Sequence, residues 1–158
     1  MNVLVFHIGR ERYALPLARI DKVLPVARLT ALPGAPPYVP GLLDLHGVAV
    51  PVIDLSKLAG FPPVAVRYDT RILLVDVPAA GAVRRLGLKA ERVTGVASIP
   101  DTLPAAGVAL APWLGGVAAG AGATGGDAAD GALLQLLLPE HLLAPEVAAR
   151  LFDGVEAA

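Results

Sequence analysis

Asp44 and His46 are the two residues whose types and spacing come closest to a catalytic arrangement. Residues two apart on a strand point to the same face, so the Asp44 carboxylate could orient the His46 imidazole as in a nucleophilic triad. The chain has only two serines, Ser56 and Ser98, and neither lies in a nucleophile-elbow context. A hydrolase using Asp44 and His46 is therefore one hypothesis, and a surface turn pair is the simpler interpretation.

Metal and nucleotide sites have less support in the sequence. His7, His46 and His141 are isolated from one another, and the chain has no cysteine, so a metal site would need ligands from distant segments. Residues 120–125 match the G-x-G-x-x-G pattern but lack the preceding strand and following helix that hold a pyrophosphate. We therefore predict that the protein uses no cofactor and no metal.

Composition indicates one globular domain, residues 1–158, that binds other proteins. The formal net charge is -1, which argues against a nucleic-acid binder, and 55% of the residues are hydrophobic. Asn2 and Gln135 are the only side-chain amides, so a polar ligand pocket is hard to build and binding through apolar surface is favoured. No uninterrupted apolar run could span a bilayer and no basic leader is visible, so we expect a cytoplasmic protein.

Fifteen prolines leave few windows for helices and favour short strands. Three strand pairs are predicted, at residues 3–8 with 12–17, 42–45 with 48–53, and 71–77 with 83–90. Pro51 lies inside one strand, which is therefore expected to be an edge or to carry a bulge. Residues 18–23 fit either the end of a strand or one helical turn.

The last part of the chain is predicted to contain a loop, a strand and two short helical pieces. Thirteen of the 17 residues in 115–131 are Gly or Ala, so this segment is expected to be a mobile loop that buries little. Residues 133–138 are predicted to form a buried strand. Residues 139–144 and 145–152 are predicted to form short helical pieces that begin with proline.

Several blocks in order resemble the CheW-like coupling domain of bacterial chemotaxis systems. The ordered run of Pro and Gly leading to Val-Pro-Val-Ile-Asp-Leu is the most specific part. The matching blocks are residues 6–15, 32–43, 47–55, 71–75, 87–93 and 135–143. The N-terminal block together with the Gln-Leu-Leu-Leu-Pro-Glu-His-Leu-Leu ending is also similar to the couplers of surface-sensing, Wsp-type pathways.

The resemblance implies an all-β fold of two small five-stranded SH3-like barrels around a shared core. It also implies a non-catalytic adaptor that links the cytoplasmic tip of a methyl-accepting chemoreceptor to the regulatory domain of a CheA-type histidine kinase. Such an adaptor would work in the cytoplasm at membrane-associated receptor complexes. A small-ligand sensor built on the same barrels is the remaining alternative, and it predicts a deep pocket.

The resemblance also implies a partner-binding surface. Its residues in this chain are Ile20, Lys22, Val23, Asp44, Leu45, His46, Gly47 and Val48. The family usually has Asn-Leu-Arg-Gly where this chain has residues 44–47, and often a Glu where it has Lys22. The Glu and Arg are thought to pair in the family, so both halves of that pair have changed here. We therefore expect Lys22 and His46 to lie near each other, with either drift of a surface pair or an altered partner as the explanation.

Overall fold

The computed structural model describes residues 1–62, 70–79, 81–101, 111–119 and 133–152. In these residues strands predominate. They are β1 Asn2–Ile8, β2 Glu11–Pro16, β3 Ile20–Pro25, β4 Gly41–Leu45, β5 Val48–Asp54, β6 Arg71–Ala79, β7 Ala82–Ser98, β8 Leu114–Ala119 and β9 Leu133–Leu137. Two short helices are α1 Leu55–Leu58 and α2 Pro145–Leu151, and 3₁₀ turns lie at Leu17–Arg19 and Pro139–His141. No described helix has the length and apolar character needed to cross a bilayer.

One long strand, β7, belongs to two five-stranded sheets. Its first half pairs with β6 and β5, and its second half pairs with β1. Sheet A has the order β7-β1-β2-β9-β8, and sheet B has the order β3-β6-β7-β5-β4. Between the two halves Arg92 adopts a positive φ of 46°, and the β1–β7 register shifts at the same place. This distortion lets one strand turn from the first sheet into the second.

The core follows the two-residue period of strands that are buried on both faces. In β1, Leu4, Phe6 and Ile8 pack into a large cluster that draws residues from both sheets, whereas Val3 and Val5 face the interior of sheet A. In β6, residues 73, 75 and 77 join the shared cluster, whereas residues 72 and 74 face the interior of sheet B. The predicted arrangement of two five-stranded units around a shared core is therefore confirmed.

The three predicted strand pairs are confirmed as β1–β2, β4–β5 and β6–β7. Pro51 lies where β5 pairs with β4 alone, because the parallel pairing with β7 begins only at Val52. β5 nevertheless pairs with strands on both sides and has a regular register with β4, so the prediction of an edge strand or a bulge is wrong; Pro51 is accommodated because it precedes the pairing with β7. Residues 18–23 begin in a 3₁₀ turn that ends at Arg19, as the helical alternative predicted. They then enter β3, which is a new strand and not the end of β2. The C-terminal strand and helical pieces appear as β9, the second 3₁₀ turn and α2.

The prediction of a mobile loop over residues 115–131 is wrong at its start. Residues 115–119 belong to β8, which pairs antiparallel with β9, and Ala118 is buried in the interior of sheet A. Small side chains hide this strand from a hydrophobicity pattern, because its stability comes from backbone hydrogen bonds and close packing rather than from large apolar residues. The rest of the predicted loop, including the Gly-rich motif at 120–125, lies outside the described residues.

Asp54 caps the first turn of α1 from a buried position. Its Oδ1 accepts hydrogen bonds from the backbone N–H groups of Ser56 at 3.1 Å and Lys57 at 3.3 Å. Its Oδ2 lies 3.7 Å from Nζ of Lys89 on β7. This carboxylate therefore holds a turn from inside the protein.

We expect Asp54→Ala to destabilise the protein by about 1–3 kcal/mol, because it removes a helix cap and leaves the Lys89 ammonium without its carboxylate. Asp54→Asn is the matched control, since its side-chain oxygen can still accept the capping bonds, and it should lose less. Urea denaturation of both variants measures the difference. An Ala variant as stable as the wild type, or an Asn variant as unstable as the Ala variant, would contradict this assignment.

Tyr13 lies in the shared core between two other aromatic rings, with centroid distances of 6.3 Å to Phe6 and 6.3 Å to Trp113. Burial, and secondarily the negative charge of Glu11, raises the pKa of the Tyr13 hydroxyl above its ordinary value. A hydrogen bond with the Gln135 side chain acts in the opposite direction and does not cancel the rise. The folded state therefore favours the neutral phenol.

Because the folded-state pKa of Tyr13 is raised, its contribution to stability is complete below about pH 10 and is lost as the pH rises through the folded-state value. Tyr13→Phe loses about 1 kcal/mol at pH 8 through the missing hydrogen bond. The advantage of the wild type should then shrink as the pH rises above about 10. Paired denaturation curves measure this, and a constant gap between the two proteins above that pH would show that Tyr13 does not titrate as proposed.

Candidate functional site

Strand directions point the start of β3 and the β4–β5 turn, which together carry the eight predicted partner-binding residues, toward the same side of sheet B. β3 runs antiparallel to β6, and its first residue, Ile20, is paired with Val75, four residues before the end of β6. The end of β6 adjoins the start of β7 through their hairpin, and β5 runs parallel to β7. The β4–β5 turn therefore lies at the same end as the start of β3. We call this region the β3 end of sheet B; it comprises residues 20–23, 44–48, 76–79 and 82–85.

A short bridge joins the segment that follows β3 to β4, the outer strand on the other side of sheet B. Thr30 and Leu42 exchange two backbone hydrogen bonds of 2.8 Å each, which joins the segment after β3 to β4. Gly41 permits this approach, because a Cβ at that position would clash with the Thr30 carbonyl oxygen. The closure gives the sheet a barrel-like shape.

The start of β3 and the β4–β5 turn consequently share one rim of this barrel-like sheet. That placement favours the expected proximity of Lys22 and His46. Within the described residues, no ion pair or hydrogen bond joins these two side chains, so their proximity stays a prediction.

The strand-face interpretation of Asp44 and His46 is wrong. His46 and Gly47 form a two-residue hairpin loop with φ values of 52° and 85°, between the paired residues Leu45 and Val48. Positive φ at both positions is the geometry of a tight hairpin turn, which accounts for the glycine. The Asp44 Oδ1 accepts a hydrogen bond of 2.8 Å from the Gly47 N–H. The carboxylate therefore holds the turn rather than the imidazole, and the geometry proposed for a hydrolase is absent at this pair.

The β3 end of sheet B exposes apolar side chains among charged ones. Val23 is 45% exposed and Val48 is 49% exposed, although both are β-branched residues that usually pack inside. Ile20 and Leu45 are half-buried against the hydrophobic clusters beneath them. Lys22, Asp44 and His46 are exposed. This mixture suits a surface that another protein covers.

Sequence reasoning missed further residues at this end. Val83, at the start of β7, is 63% exposed, and beside it Arg85 contacts Asp76 and Asp21. The predicted turn between residues 77 and 83 could have indicated the pairing of Asp76 with Arg85. The contact with Asp21 had no signal in the sequence, because it depends on the pairing of β3 with β6.

An apolar groove of about 660 Å³ lies between the end of β6, Trp113 and the segment that leads into α2. Tyr38, Leu142 and Ala148 are among the residues that line it. The groove is open to solvent, whereas the sensor alternative predicted a deep pocket. Among the described residues there is no cluster of His, Asp and Glu that could hold a metal ion.

A family model described as the CheW-like domain matches residues 2–146. Chemotaxis protein CheW of Bacillus subtilis (strain 168) is 32% identical over 74 residues, which is 47% of this chain and 47% of that protein. Protein PilI of Pseudomonas aeruginosa is 29% identical over 117 residues, or 71% of this chain and 64% of that protein. These matches span between about half and just under two thirds of the relatives' own length.

A solved structure has the same fold. The crystal structure of scaffolding protein TtCheW from Thermoanaerobacter tengcongensis aligns with a TM-score of 0.74, over 90% of this chain and 87% of that one, at 24% identity. At 24% identity this structure shows that the architecture is the same. The family model adds a match in sequence over residues 2–146. The resemblance inferred from the ordered sequence blocks is confirmed: this chain belongs to the CheW-like domain family.

Proposed function

We propose that the protein is a non-catalytic adaptor that couples a chemoreceptor-like protein to the regulatory domain of a CheA-type histidine kinase. The observation that carries the proposal is the family match over residues 2–146, and it is supported by the exposed valines of sheet B, Val23, Val48 and Val83. The adaptor works in the cytoplasm, at complexes that the receptor anchors to the membrane. The similarity to Wsp-type couplers stays a prediction about the pathway.

The physical character of the β3 end supports protein binding. Three exposed valines, Val23, Val48 and Val83, would lose contact with water in a complex, and charged groups surround them. An interface with apolar anchors and a polar rim has this composition. The strands that carry these valines pack against the shared cluster and the interior of sheet B, so we expect little ordering of the backbone on binding.

Reconstitution tests the function directly. The probes are a receptor cytoplasmic tip and a full-length histidine kinase from the genes that neighbour the gene of this chain. Sedimentation should show a complex of all three proteins that does not form when the adaptor is omitted. Kinase autophosphorylation in the complex should depend on the receptor only when the adaptor is present. Failure of the adaptor to bind either protein at about 100 μM, an affinity near −5.5 kcal/mol, would contradict the proposal.

A matched pair of variants locates the surface in the same assay. Val48→Asp places a charge at the β3 end and should weaken binding of one partner by about tenfold or more, because a charge at the core of an interface loses its hydration. Val96→Asp changes a valine of similar exposure on sheet A, at 42%, and serves as the control. Equal effects of the two substitutions would remove the evidence for the β3 end as the binding surface.

Lys22 and His46 provide a test of partner specificity. Lys22→Glu together with His46→Arg restores the pair that is usual in the family. If the two residues act together on the cognate receptor tip, each single change weakens binding and the double variant shows a coupling free energy above about 0.5 kcal/mol.

Calorimetry of all four proteins at two pH values measures this coupling. Two pH values are needed because histidine side chains can gain a proton on mild acidification, and two neighbouring cations repel each other. Additive effects of the two substitutions at both pH values would show that Lys22 and His46 do not act as a unit, and the altered-specificity hypothesis would fail.

A further inference from the structure

The start of β3 contains one residue too many for regular pairing with β6. Ile20 is paired with Val75 and Lys22 with Leu74, so Asp21 lies between two successive pairs with no partner residue of its own in the ladder. This is the arrangement of a β-bulge, which bends a strand and changes the direction of the side chains that follow. The side chains that follow are those of Lys22 and Val23, both in the proposed partner-binding surface.

The side chain of Asp21 forms an ion pair with Arg85, which lies two strands away on β7. Nη2 of Arg85 on β7 lies 3.2 Å from Oδ2 of Asp21. Nε of the same guanidinium lies 3.4 Å from Oδ1 of Asp76 on β6, the strand between them, and Asp76 is directly opposite Arg85 in the ladder. One planar group therefore spans three adjacent strands and uses two separate nitrogens to do so. A lysine could not reproduce this, because its ammonium is a single point of charge.

We propose that Arg85 is a positioning residue for partner binding: it holds the bulged start of β3 against the β6–β7 hairpin and so sets the directions of Lys22 and Val23. This inference rests on the proposed adaptor function. In the described residues β3 is an outer strand whose ladder runs to β6 alone, so a bulge at its start weakens the pairing that fixes it. The Arg85 side chain supplies this constraint through its ion pairs with Asp21 and Asp76.

The charges explain why the arrangement depends on Arg85. Without the guanidinium, Asp21 and Asp76 would face the same space as two carboxylates of like charge, and the bulge would move to separate them. All three side chains are half-exposed, at 31% for Arg85, 39% for Asp21 and 49% for Asp76. Ion pairs with that exposure add little to global stability. Their effect here is on the geometry of one strand end.

Hydrogen exchange of the isolated protein tests the positioning role without any partner. In Arg85→Met, the backbone amides of residues 20–25 should exchange at least about fivefold faster, because local opening of the strand end becomes easier. Amides in the core strands and the melting temperature should stay nearly unchanged. Arg10→Met is the matched control, since it removes an exposed arginine from the β1–β2 turn, and it should leave residues 20–25 as in the wild type.

Binding to the receptor tip and to the kinase then shows whether the geometry matters for function. Arg85→Met should weaken at least one partner about fivefold or more, and Arg85→Lys should not restore the wild-type affinity. Asp21→Asn should produce a similar loss, and the Asp21→Asn, Arg85→Met double variant should be little worse than either single variant, because both remove the same contact.

Two results would overturn the inference. Unchanged exchange at residues 20–25 in Arg85→Met would show that the ion pairs do not hold β3. Faster exchange throughout the protein together with a lower melting temperature would show a general structural role instead. The exchange experiment does not depend on a partner. If the wild-type protein binds neither partner, the proposed adaptor function is contradicted, but hydrogen exchange still decides whether Arg85 holds the start of β3.

Discussion

The fold depends on β7 being one continuous strand that serves two sheets. Both five-stranded sheets contain it, so the shared hydrophobic cluster forms only if β7 turns from one sheet into the other near Arg92. The strands beside it, β1 and β6, are then buried on both faces, one toward the shared cluster and one toward the interior of their own sheet. Neither sheet could bury its apolar residues without the other.

The candidate site is built on the first half of the same strand. The β6–β7 hairpin places Val83 and Arg85 beside the start of β3, and the parallel pairing of β5 with β7 brings the β4–β5 turn to the same rim. The surface therefore consists of strand ends and tight turns on a rigid barrel rather than of long loops. If the proposed adaptor function holds, such a scaffold would let a few exposed side chains decide which partner binds, while the core beneath stays constant.

Lys22 and His46 are exposed on this rim. The family resemblance implies a Glu and an Arg at these two positions, so we expect that a lysine and a histidine replace a pair of opposite charges here. The turn that carries His46 keeps its geometry, because Asp44 and Gly47 hold it through their own hydrogen bond. The charge of the rim can thus change without disturbing the backbone. A change of partner would require charges at the rim that can change while the backbone keeps its conformation.

The sequence by itself determined the fold class, the three hairpins and the family. Proline spacing excluded long helices, and period-two patterns with turn residues marked the strand pairs because these signals are local. Only the tertiary structure decided that Ala118 is buried in a strand, that His46 lies in a turn and that Asp21 meets Arg85. The first is hidden by side chains too small to show a pattern. The second depends on backbone dihedral angles that the spacing of Asp44 and His46 does not report. The third joins residues that are 64 positions apart and come together only when β3 pairs with β6.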